Sequence, residues 1–526
     1  MVIDAHAVPG DQTIQTDVCI IGAGAAGITL ARQFVGQPFR VCLLESGGLE
    51  FEKGTQSLYA GENTGFPYPP LDVARLRYFG GTTNHWTGWC QPLDEIDFES
   101  RDWIPYSGWP FNKNHLDPFY ERAQSICELG PFLYDADAWE TPSAPRFHFN
   151  GDRVITKIIQ LSPPTRFGKV YRDEIVRAGN ITLNLYANVI NIETPPNGRT
   201  VTRVRVASLQ GNRYWVAAKI FILATGVIEN ARLLLLSNQV RRAGLGNQYD
   251  LVGRFFMEHP WQQSAVLLLS NPYLPIRLYE SYTSPRHENP PGSRRRTAIK
   301  GALVPTRETQ RSFNLVNFRV HLAPIQPKGI ASLQFLFDAV RKPSMPDDLS
   351  EHLGNVIADI DDVARLGYGR VFKGVTPVRM AELFCGIEQV PDPHSRVTLS
   401  TERDVLGQNR VVLHWGLTAA YKHAIRRATE LIAEEFGRAG LGRVKIILDE
   451  ENGPSQPLIG FHHIGTTRMH RDPKKGVVDE NCRVHDISNL FIAGSSVFPT
   501  SGASNPTLTI VALSLRLADH VKRLMT

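Results

Sequence analysis

The stretch TDVCIIGAGAAGITLARQFVGQPFRVCLLES, residues 16–46, decides the fold of the N-terminal part of the chain. It opens with an apolar run over 18–21, which is typical of a central parallel strand. A glycine-rich turn follows, then a helical pattern over 28–32, and then a second apolar run over 41–44 that ends at Glu45. An ordinary glycine-rich turn would lack the second strand and the acid. The stretch therefore predicts a dinucleotide-binding βαβ unit.

The glycines of the turn have distinct tasks in such a unit. Gly22 permits the tight turn, Gly24 lets the backbone approach a pyrophosphate, and Gly27 allows close packing of helix and strand. The free N–H groups at the helix N-terminus favour phosphates. Glu45 is placed to bond ribose hydroxyls, and an acid here favours FAD or NAD over NADP. The predicted contacts are Gly22, Gly24, Ala25, Ala26, Gly27, Glu45 and Ser46.

Length and composition describe a globular protein of more than one domain. The 526 residues exceed a single hydrophobic core, and 42% hydrophobic and 21% charged residues are ordinary values. A net charge of +5 is small for this length and argues against nucleic-acid binding. The six cysteines contain no CxxC pair, and no apolar run approaches the ~20 residues that span a bilayer. We expect no disulfides, no metal site, no membrane span and, without an N-terminal signal pattern, a cytoplasmic location by default. A periplasmic location by way of a partner subunit that carries an export signal stays open.

Two later segments have the character of additional strands of the same sheet. AKIFILATG, residues 218–226, ends in small residues and leads into the helical pattern VIENARLLLLSN. Near the C-terminus an apolar run over 490–493 precedes a glycine–serine pair, an irregular loop and an amphipathic helix from Pro506. A nucleotide domain assembled from such distant segments favours a flavoprotein over a simple NAD dehydrogenase. The residues expected at the nucleotide are Ala224, Thr225, Gly226, Gly494 and Ser495.

The last helix has a typical start. Asn505 is a favourable N-cap, and Pro506 is a favourable first helical residue. A helix N-terminus beside a flavin would also stabilise the negative charge that reduction creates there. Asn505 can therefore act as a cap, as part of the flavin site, or as both.

The segment FHHIGTTRMH, residues 461–470, contains three of the 16 histidines of the chain. A metal site needs three or four ligands, whereas His462 and His463 are adjacent and would point to opposite faces of a strand. Structural histidines are a second interpretation. The third is a general base, because oxidation of an alcohol by a flavin requires an acceptor for the hydroxyl proton.

These motifs together resemble the glucose–methanol–choline (GMC) oxidoreductase family. The resemblance rests on the nucleotide fingerprint, the ATG strand, the His-x-x-Gly-Thr segment and AGSSVFPTSGASNPTLTIVAL near the C-terminus. It implies bound FAD and an α/β fold (α+β overall). A Rossmann-type FAD domain built from discontinuous segments would join a substrate domain with an antiparallel sheet flanked by helices. The family pattern selects His462 as the base and Asn505 as its partner, and by alternation His463 would face away from the flavin.

Within the family, GGTTNHWTGWCQP, residues 80–92, is similar to pyranose oxidases and to bacterial glycoside oxidases and dehydrogenases. The matching histidine of pyranose oxidases is bonded to the flavin 8α carbon and corresponds to His85. Thr87 corresponds to the threonine near flavin N5. Asn84 departs from the pyranose-oxidase residue, so a covalent bond and a noncovalent contact of His85 both stay open. The resemblance extends the predicted flavin contacts to Gly81, Thr82, Asn84, His85, Trp86, Thr87, Val189, Asn505, Pro506 and Thr507.

The middle of the chain predicts an antiparallel sheet. Strict alternation in VNFRVHL, residues 316–322, indicates a strand with one wet face. Further strands are predicted over 380–390 and in the pair SRVTLS and NRVVLHWGL. Residues 271–311 are rich in Pro, Arg and Ser, which is typical of a long surface loop. Gln389 and Glu388 end a predicted strand and could bind sugar hydroxyls or be ordinary surface residues.

The patterns divide the chain into five consecutive regions. They are an FAD-binding part (1–105), a helical linking region (106–175), a second FAD-binding part (176–260), a substrate domain (261–444) and a C-terminal FAD-binding part with the histidine segment (445–526). An amphipathic helix is predicted over 423–440. His259, near a domain junction, is expected to be structural, and Arg468 is expected to orient a loop.

The resemblance implies FAD-dependent oxidation of a secondary hydroxyl of a pyranose ring, at C3 or C2, to a ketone. His462 would accept the proton, flavin N5 the hydride, and the substrate contacts would be His462, Asn505, Gln389 and Glu388. The preference for sugars rests on the TTNHWTG segment. One alternative keeps the fold and takes an aliphatic, aromatic or sterol alcohol, and another is a non-catalytic flavin-bound subunit. The electron acceptor (O2, a quinone or a cytochrome), a small subunit and a homo-oligomer are left open.

Overall fold

The computed structural model describes residues 1–288, 296–340, 348–373, 376–417, 419–448 and 457–526. Within these ranges the strands are β1 Val2–Asp4, β2 Thr13–Gln15, β3 Val18–Ile21, β4 Val41–Leu44, β5 Glu62–Gly65, β6 Trp89–Cys90, β7 Val154–Leu161, β8 Ile181–Leu185, β9 Asn188–Glu193, β10 Arg203–Ala207, β11 Arg213–Ala217, β12 Ile220–Leu223, β13 Pro260–Leu269, β14 Tyr282–Glu288, β15 Arg296–Pro305, β16 Phe318–Ile325, β17 Met380–Ile387, β18 Arg396–Arg403, β19 Asn409–Trp415, β20 Gly442–Ile446, β21 Leu458–Ile459 and β22 Leu490–Ile492. The helices are α1 Ala25–Phe34, α2 Lys53–Gln56, α3 Lys113–Ile126, α4 Phe167–Val170, α5 Arg172–Arg177, α6 Val227–Leu236, α7 Arg307–Phe313, α8 Lys328–Val340, α9 Leu349–Ala358, α10 Ile360–Tyr368, α11 Ala419–Arg438 and α12 Thr507–Met525.

A six-stranded parallel sheet in the order β1-β8-β4-β3-β12-β22 forms the core of the nucleotide-binding region. Its central strands VCII, VCLL and IFIL are fully apolar, and they are buried along their whole length. Helix α1 packs against both β3 and α12, so the two ends of the chain meet on this sheet. The predicted membership of the strands near 220 and 490 is confirmed, because β12 pairs with both β3 and β22.

The carboxyl ends of three neighbouring strands position the site. The strands run parallel and in register, with Ile21 beside Leu223 and Leu223 beside Ile492. The glycine-rich turns that follow them therefore meet at one edge of the sheet, where ligands bind in open α/β folds. The position of the site follows from this register.

A nine-stranded antiparallel sheet stands opposite that edge. Its order is β20-β13-β17-β16-β15-β7-β6, with β14 paired to β15 and β21 paired to β13. One face is apolar and packs against α11, whose stripe Ile425, Ala428, Ile432 and Phe436 is buried in the same core. The antiparallel sheet and the helix predicted over 423–440 are thus confirmed.

Strand membership in this sheet differs from the sequence prediction. Strand β7 lies inside 106–175, the stretch predicted to be a helical linker, and it pairs along its full length with β15. Its sequence VITKIIQL does not alternate between apolar and polar residues, so the signal of a strand is weak between helical neighbours. The predicted pair β18–β19 exists, but it joins β5 in a separate three-stranded sheet.

The prediction of a long surface loop over 271–311 is wrong. That stretch contains β14, the whole ten-residue strand β15 and the start of α7, while its residues 289–295 lie outside the described ranges. The average composition is polar because Pro and Arg are frequent, yet the apolar segment AIKGALV within it has the strength of a central strand.

A smaller sheet in the order β2-β11-β10-β9 joins the nucleotide-binding region. Its inward residues Val204, Val206, Tyr214 and Val216 are buried with the parallel sheet in one core. Among the helices of the described ranges, none is long and apolar enough to cross a bilayer.

Candidate active site

A cavity of about 550 Å³ lies between the carboxyl edge of the parallel sheet and the nine-stranded sheet. It is lined by most of the residues predicted to contact the cofactor: Gly22, Gly24, Ala25, Ala26, Glu45, Ser46, Gly81, Thr82, His85, Trp86, Thr87, Val189, Ala224, Thr225, Gly226, Gly494, Ser495, Asn505, Pro506 and Thr507. Five stretches of chain that are distant in sequence therefore form one wall. Two predicted contacts, Gly27 and Asn84, are not on the wall.

The fingerprint glycines fit the tasks expected of them. Gly22 has φ +101°, and a Cβ there would lie 2.5 Å from the carbonyl oxygen of Ala224. A Cβ at Gly27 would overlap the carbonyl oxygen of Gly22, so Gly27 serves helix packing and stays off the wall. Gly24 has no protein atom within 4 Å of its Cβ position, which leaves its backbone open to the cavity.

Three helices begin on the cavity wall without a side-chain cap. These are α1 after Gly24, α6 after Gly226 and α12 after Pro506. Their first N–H groups and their helix dipoles face a space that suits phosphates and an anionic ring. The predicted capping by the Asn505 side chain is wrong, because that amide bonds other side chains.

Glu45 ends β4 beside the first turn. Its carboxylate accepts hydrogen bonds from Ala23 N and Gly47 N, both at 2.9 Å. Burial raises the pKa of Glu45, although these bonds favour the charged form. The side chain lies on the cavity wall, where its remaining lone pairs can accept from ribose hydroxyls.

The GGTTNHW segment forms a short 3₁₀ turn over Gly81–Asn84. Asn84 Nδ2 donates to Phe79 O at 2.8 Å, so this side chain supports the loop and does not reach the cavity. The His85 ring lies on the wall, and among the described residues it makes no hydrogen bond to protein. His85 is therefore free to contact a cofactor.

The two predicted catalytic side chains meet on the wall. His462 Nε2 lies 3.1 Å from Asn505 Nδ2, and on the other side His462 Nδ1 lies 3.0 Å from His259 Nδ1. Asn505 Oδ1 accepts from Arg319 Nη1 at 3.2 Å. Burial, followed by His259 and Arg319, lowers the pKa of His462 well below its usual 6.5, so the ring is neutral at pH 7. A neutral imidazole beside an amide donor can accept a proton from a hydroxyl group.

His463 does not turn away from the cavity as predicted. The segment is not a regular strand, since Phe461 has φ +55°, so strand alternation does not apply. His463 lies on the same wall, and its Nε2 is 2.7 Å from Tyr68 Oη. Tyr68 Oη in turn donates to Glu258 at 2.9 Å.

Glu258 ties the two histidine segments together. Its Oε1 accepts from His259 N at 2.9 Å and from His462 N at 2.6 Å. Burial raises the pKa of Glu258 to about 7. The segment that carries His259, just before β13, and the loop that carries His462 are thereby held together.

Glu388 and Gln389 are not brought to the cavity. Glu388 forms a fully buried ion pair with Arg101 at 2.5 Å. Gln389 accepts from Glu258 N at 2.9 Å and from Trp415 Nε1 at 3.0 Å. Their polar groups are used by these partners, and the predicted substrate role is therefore not supported for either residue.

Sequence reasoning missed a buried charge cluster on the wall. Arg75 pairs with Glu229 at 2.9 Å, Arg77 and Arg232 approach the same carboxylate at 3.3 Å, and Arg75 and Arg77 stack on Tyr59. Although burial opposes ionisation, the guanidinium groups lower the pKa of Glu229 to about 2. The Arg-Leu-Arg triplet just before the GGTT segment is the signal that could have revealed this cluster.

The positions of Arg319 and His321 contradict the prediction that VNFRVHL forms a strand with one wet face. Both side chains are buried, so the polar face of β16 is not wet. His321 lies between the rings of Trp261 and Trp89, each 5.0 Å away between centroids. The alternation marks a face turned toward the site, which a sequence pattern cannot distinguish from a face turned toward solvent. Arg468, as expected, bonds a loop carbonyl, that of Tyr106.

Two family models match the chain. The model described as GMC oxidoreductase matches residues 391–514, which include His462 and Asn505, and the model described as FAD dependent oxidoreductase matches residues 17–245. The C-terminal part of the chain is therefore similar to the GMC oxidoreductases, and the N-terminal part is similar to FAD-dependent oxidoreductases. The protein is an FAD-dependent oxidoreductase, and the open glycine turns, the three helix starts and Glu45 fit that cofactor.

One relative is similar to the chain over nearly its whole length, and another is similar over a shorter part of it. The fructose dehydrogenase large subunit of Gluconobacter japonicus is 24% identical over 97% of this chain and 98% of that protein. A C-glycoside 3-oxidase of Arthrobacter globiformis is 30% identical over 38% of this chain and 39% of that protein. Among solved structures, pyridoxine 4-oxidase from Mesorbium loti has a TM-score of 0.55 with 17% identity and covers 96% of this chain and 99% of that one. The fold of the GMC oxidases is thus shared.

Proposed function

We propose that this FAD-dependent oxidoreductase oxidises a secondary hydroxyl of a sugar or glycoside ring, at C3 or C2, to a ketone. The observation that carries the proposal is the approach of His462 Nε2 and Asn505 Nδ2 to 3.1 Å on the wall of the cavity that holds the dinucleotide fingerprint. An acceptor for a proton and a donor to oxygen stand side by side there. That pair suits an alcohol that loses a proton from oxygen and a hydride from carbon.

The residues of the chain would handle the proton and the oxygen. When bound, FAD supplies the acceptor for the hydride. His462, neutral because of its lowered pKa, takes the hydroxyl proton at Nε2. Asn505 Nδ2 donates to the substrate oxygen as negative charge develops on it, and the N-terminus of α12 adds a favourable dipole.

The flavin would be held by both ends of the chain. The fingerprint turn and the start of α1 would bind the pyrophosphate, and Glu45 the ribose. Thr87 and His85, on the wall of the cavity that also carries the histidine pair, would contact the flavin ring. Precipitation with trichloroacetic acid separates two roles of His85, because a covalent flavin stays yellow in the pellet whereas a noncovalent flavin is released to the supernatant.

The preference for a sugar is supported by the names of several relatives. A fructose dehydrogenase, two C-glycoside 3-oxidases and a pyranose 2-oxidase are among them. Trp89, on the cavity wall beside Lys300 Nζ at 5.2 Å, offers an aromatic surface with a nearby donor. Aromatic surfaces with a few polar groups are typical linings for small polar ligands.

A non-sugar alcohol is the second candidate. The 2-methyl-1,2-propanediol dehydrogenase of Mycolicibacterium austroafricanum is 23% identical over 97% of this chain and 95% of that protein. That similarity is as broad as the similarity to the fructose dehydrogenase subunit. A panel of substrates must therefore contain both classes.

Anaerobic bleaching of the flavin tests the proposal. The purified yellow protein is mixed without oxygen with D-glucose, D-fructose, a methyl glucoside, a C-glucoside, choline and 2-methyl-1,2-propanediol. We expect bleaching by a sugar or glycoside, and a ketone at C3 or C2 by NMR of the product. Fast bleaching by the diol or choline alone would replace the sugar proposal by the second candidate, and no bleaching by any alcohol would contradict both. Admission of air, a quinone or cytochrome c then identifies the acceptor.

A further inference from the structure

A continuous line of hydrogen bonds runs through the candidate base. Arg319 Nη1 lies 3.2 Å from Asn505 Oδ1, and Asn505 Nδ2 lies 3.1 Å from His462 Nε2. His462 Nδ1 then lies 3.0 Å from His259 Nδ1, and His259 Nε2 lies 2.8 Å from the carbonyl oxygen of Gly502. Five groups from four separate parts of the chain form this line, since Gly502 and Asn505 lie in the same loop.

The two ends of the line determine its direction. The Gly502 carbonyl can only accept, so His259 Nε2 carries the proton, and Nδ1 of this neutral ring must accept. His462 Nδ1 therefore donates to it. At the other end the Arg319 guanidinium can only donate, so the atom of Asn505 that faces it is the carbonyl oxygen, and the NH2 group faces His462.

The ionisation states agree with this direction. Burial, followed by Arg319, lowers the pKa of His259 to about 4, and His462 is likewise shifted below its usual value. Both rings are neutral at pH 7, and each carries a single N–H. The line then has one consistent arrangement, in which the lone pair of His462 is at Nε2 and faces the Asn505 NH2 group.

We propose that His259 and Arg319 are positioning residues that fix the donor and acceptor directions at the reacting edge. His259 would hold the proton of His462 on Nδ1, and Arg319 would hold the Asn505 amide with its N–H groups toward the substrate oxygen. The inference rests on the proposed function. It goes beyond it because neither residue belongs to the His–Asn pair.

The burial of Arg319 supports a functional reason for its place. Its side chain is 1% exposed, it makes no ion pair within the described ranges, and its Nε has no hydrogen-bond partner. An unpaired guanidinium in the interior destabilises a fold. The buried guanidinium of Arg319 beside Asn505 is therefore explained by a function and not by stability.

The proposed positions also explain where the proton goes. It leaves the hydroxyl oxygen of the substrate and binds to His462 Nε2, which forms an imidazolium. The Nδ1–H of that imidazolium keeps its bond to His259. The lone pair of His259 stabilises the cation, as the acceptor behind a catalytic histidine does in hydrolases.

Substitution of His259 tests the end of the hydrogen-bond line that lies behind His462. His259→Leu removes the acceptor for the Nδ1–H of His462. The other tautomer of His462, which carries its proton on Nε2 and cannot accept one there, then becomes populated. We expect the limiting rate of anaerobic flavin reduction, with the substrate that bleaches the wild type fastest, to fall about 10- to 100-fold. The fall should be equal across pH 7–9, because tautomer populations do not depend on pH. His259→Gln offers both an acceptor and a donor and should recover at least half of the loss on a logarithmic scale.

Substitution of Arg319 tests the other end. Arg319→Met removes the donor while keeping the side-chain length, and we expect a similar loss of limiting rate without a lower melting temperature. Arg319→Lys retains a charged donor and should restore part of the rate. A merely structural role predicts instead a lower melting temperature and an unchanged rate per bound flavin.

Two further variants separate the possible outcomes. His485→Leu removes a partly buried histidine that bonds a backbone carbonyl, that of His470, away from the cavity, and it should leave the rate unchanged. His462→Ala should abolish fast reduction. If His462→Ala is slow but His259→Leu and Arg319→Met reduce the flavin at the wild-type rate, the positioning roles are wrong and the proposed function stands. If His462→Ala is also fast, the proposed function itself fails.

Discussion

His462 depends on side chains that no local pattern connects to it. The residue and its partner Asn505 were predictable from short motifs with a family resemblance. His259 is 203 residues from His462 in the sequence, and Arg319 is 186 residues from Asn505. A buried histidine or a charge on an apolar strand can be noticed in a sequence, but its neighbour is known only once the strands are paired.

Glu229 gives a prediction at this scale. Its carboxylate holds three buried guanidinium groups, so Glu229→Gln removes the counter-charge of Arg75 and Arg77, whereas Arg232 keeps Asp404 at 2.7 Å. We expect a loss of about 3–5 kcal/mol in the free energy of unfolding at pH 7, measured by urea denaturation. The folded pKa of about 2 lies below the usual 4.5, so this stability is complete above pH 4.5 and is lost as the pH falls toward 2.

The matched control is Glu174→Gln. Glu174 pairs with Arg32 at 2.6 Å, but its side chain is 40% exposed, and its removal should cost less than about 1 kcal/mol. Equal losses in the two variants would show that the buried cluster contributes no more than a surface pair.

At the scale of elements, the parallel strands were the easiest to predict. VCII, VCLL and IFIL are apolar at every position because both faces are covered, and no other common element has that pattern at four residues between turns. The environment of the polar face of a half-polar strand was harder to predict. VNFRVHL alternates correctly, but alternation does not say whether the polar face meets water or an active site.

The glycine turn of the βαβ unit gives a prediction for an element. Gly22→Ala forces a side chain onto φ +101° and against the Ala224 carbonyl, so we expect the apoprotein to lose more than about 1–3 kcal/mol and to bind little FAD. Gly24→Ala should leave the apoprotein as stable as the wild type and weaken FAD binding, because its Cβ would point into the open cavity. Thermal unfolding of apoprotein and flavin absorbance measure the two effects.

Gly211→Ala is the control for backbone strain alone. Gly211 has φ +97° in the turn between β10 and β11, with no protein atom within 4 Å of its Cβ position. The Gly211→Ala apoprotein should lose about 1–3 kcal/mol in the free energy of unfolding, and the variant should still bind FAD. If Gly22→Ala behaves like Gly211→Ala in both measurements, the close approach to Ala224 has no consequence.

At the scale of the whole molecule, the site exists only where two sheets from interleaved segments meet. The discontinuous nucleotide domain could be inferred, because three glycine-terminated strands share one pattern. The membership of β7 and of the β18–β19 pair could not, since sheet partners far apart in sequence leave no local trace. The fold class and most of the cavity wall were therefore predictable, whereas the second sheet and the side chains behind the His–Asn pair were not.

The central claim is that His462 accepts the proton of the alcohol. The most direct measurement is stopped-flow reduction of the flavin without oxygen in wild type and His462→Ala, both carrying full FAD by absorbance. We expect the limiting rate to fall about 10²- to 10⁴-fold, the range of general base catalysis. A His462→Ala protein with full FAD whose flavin is reduced as fast as that of the wild type would contradict the claim.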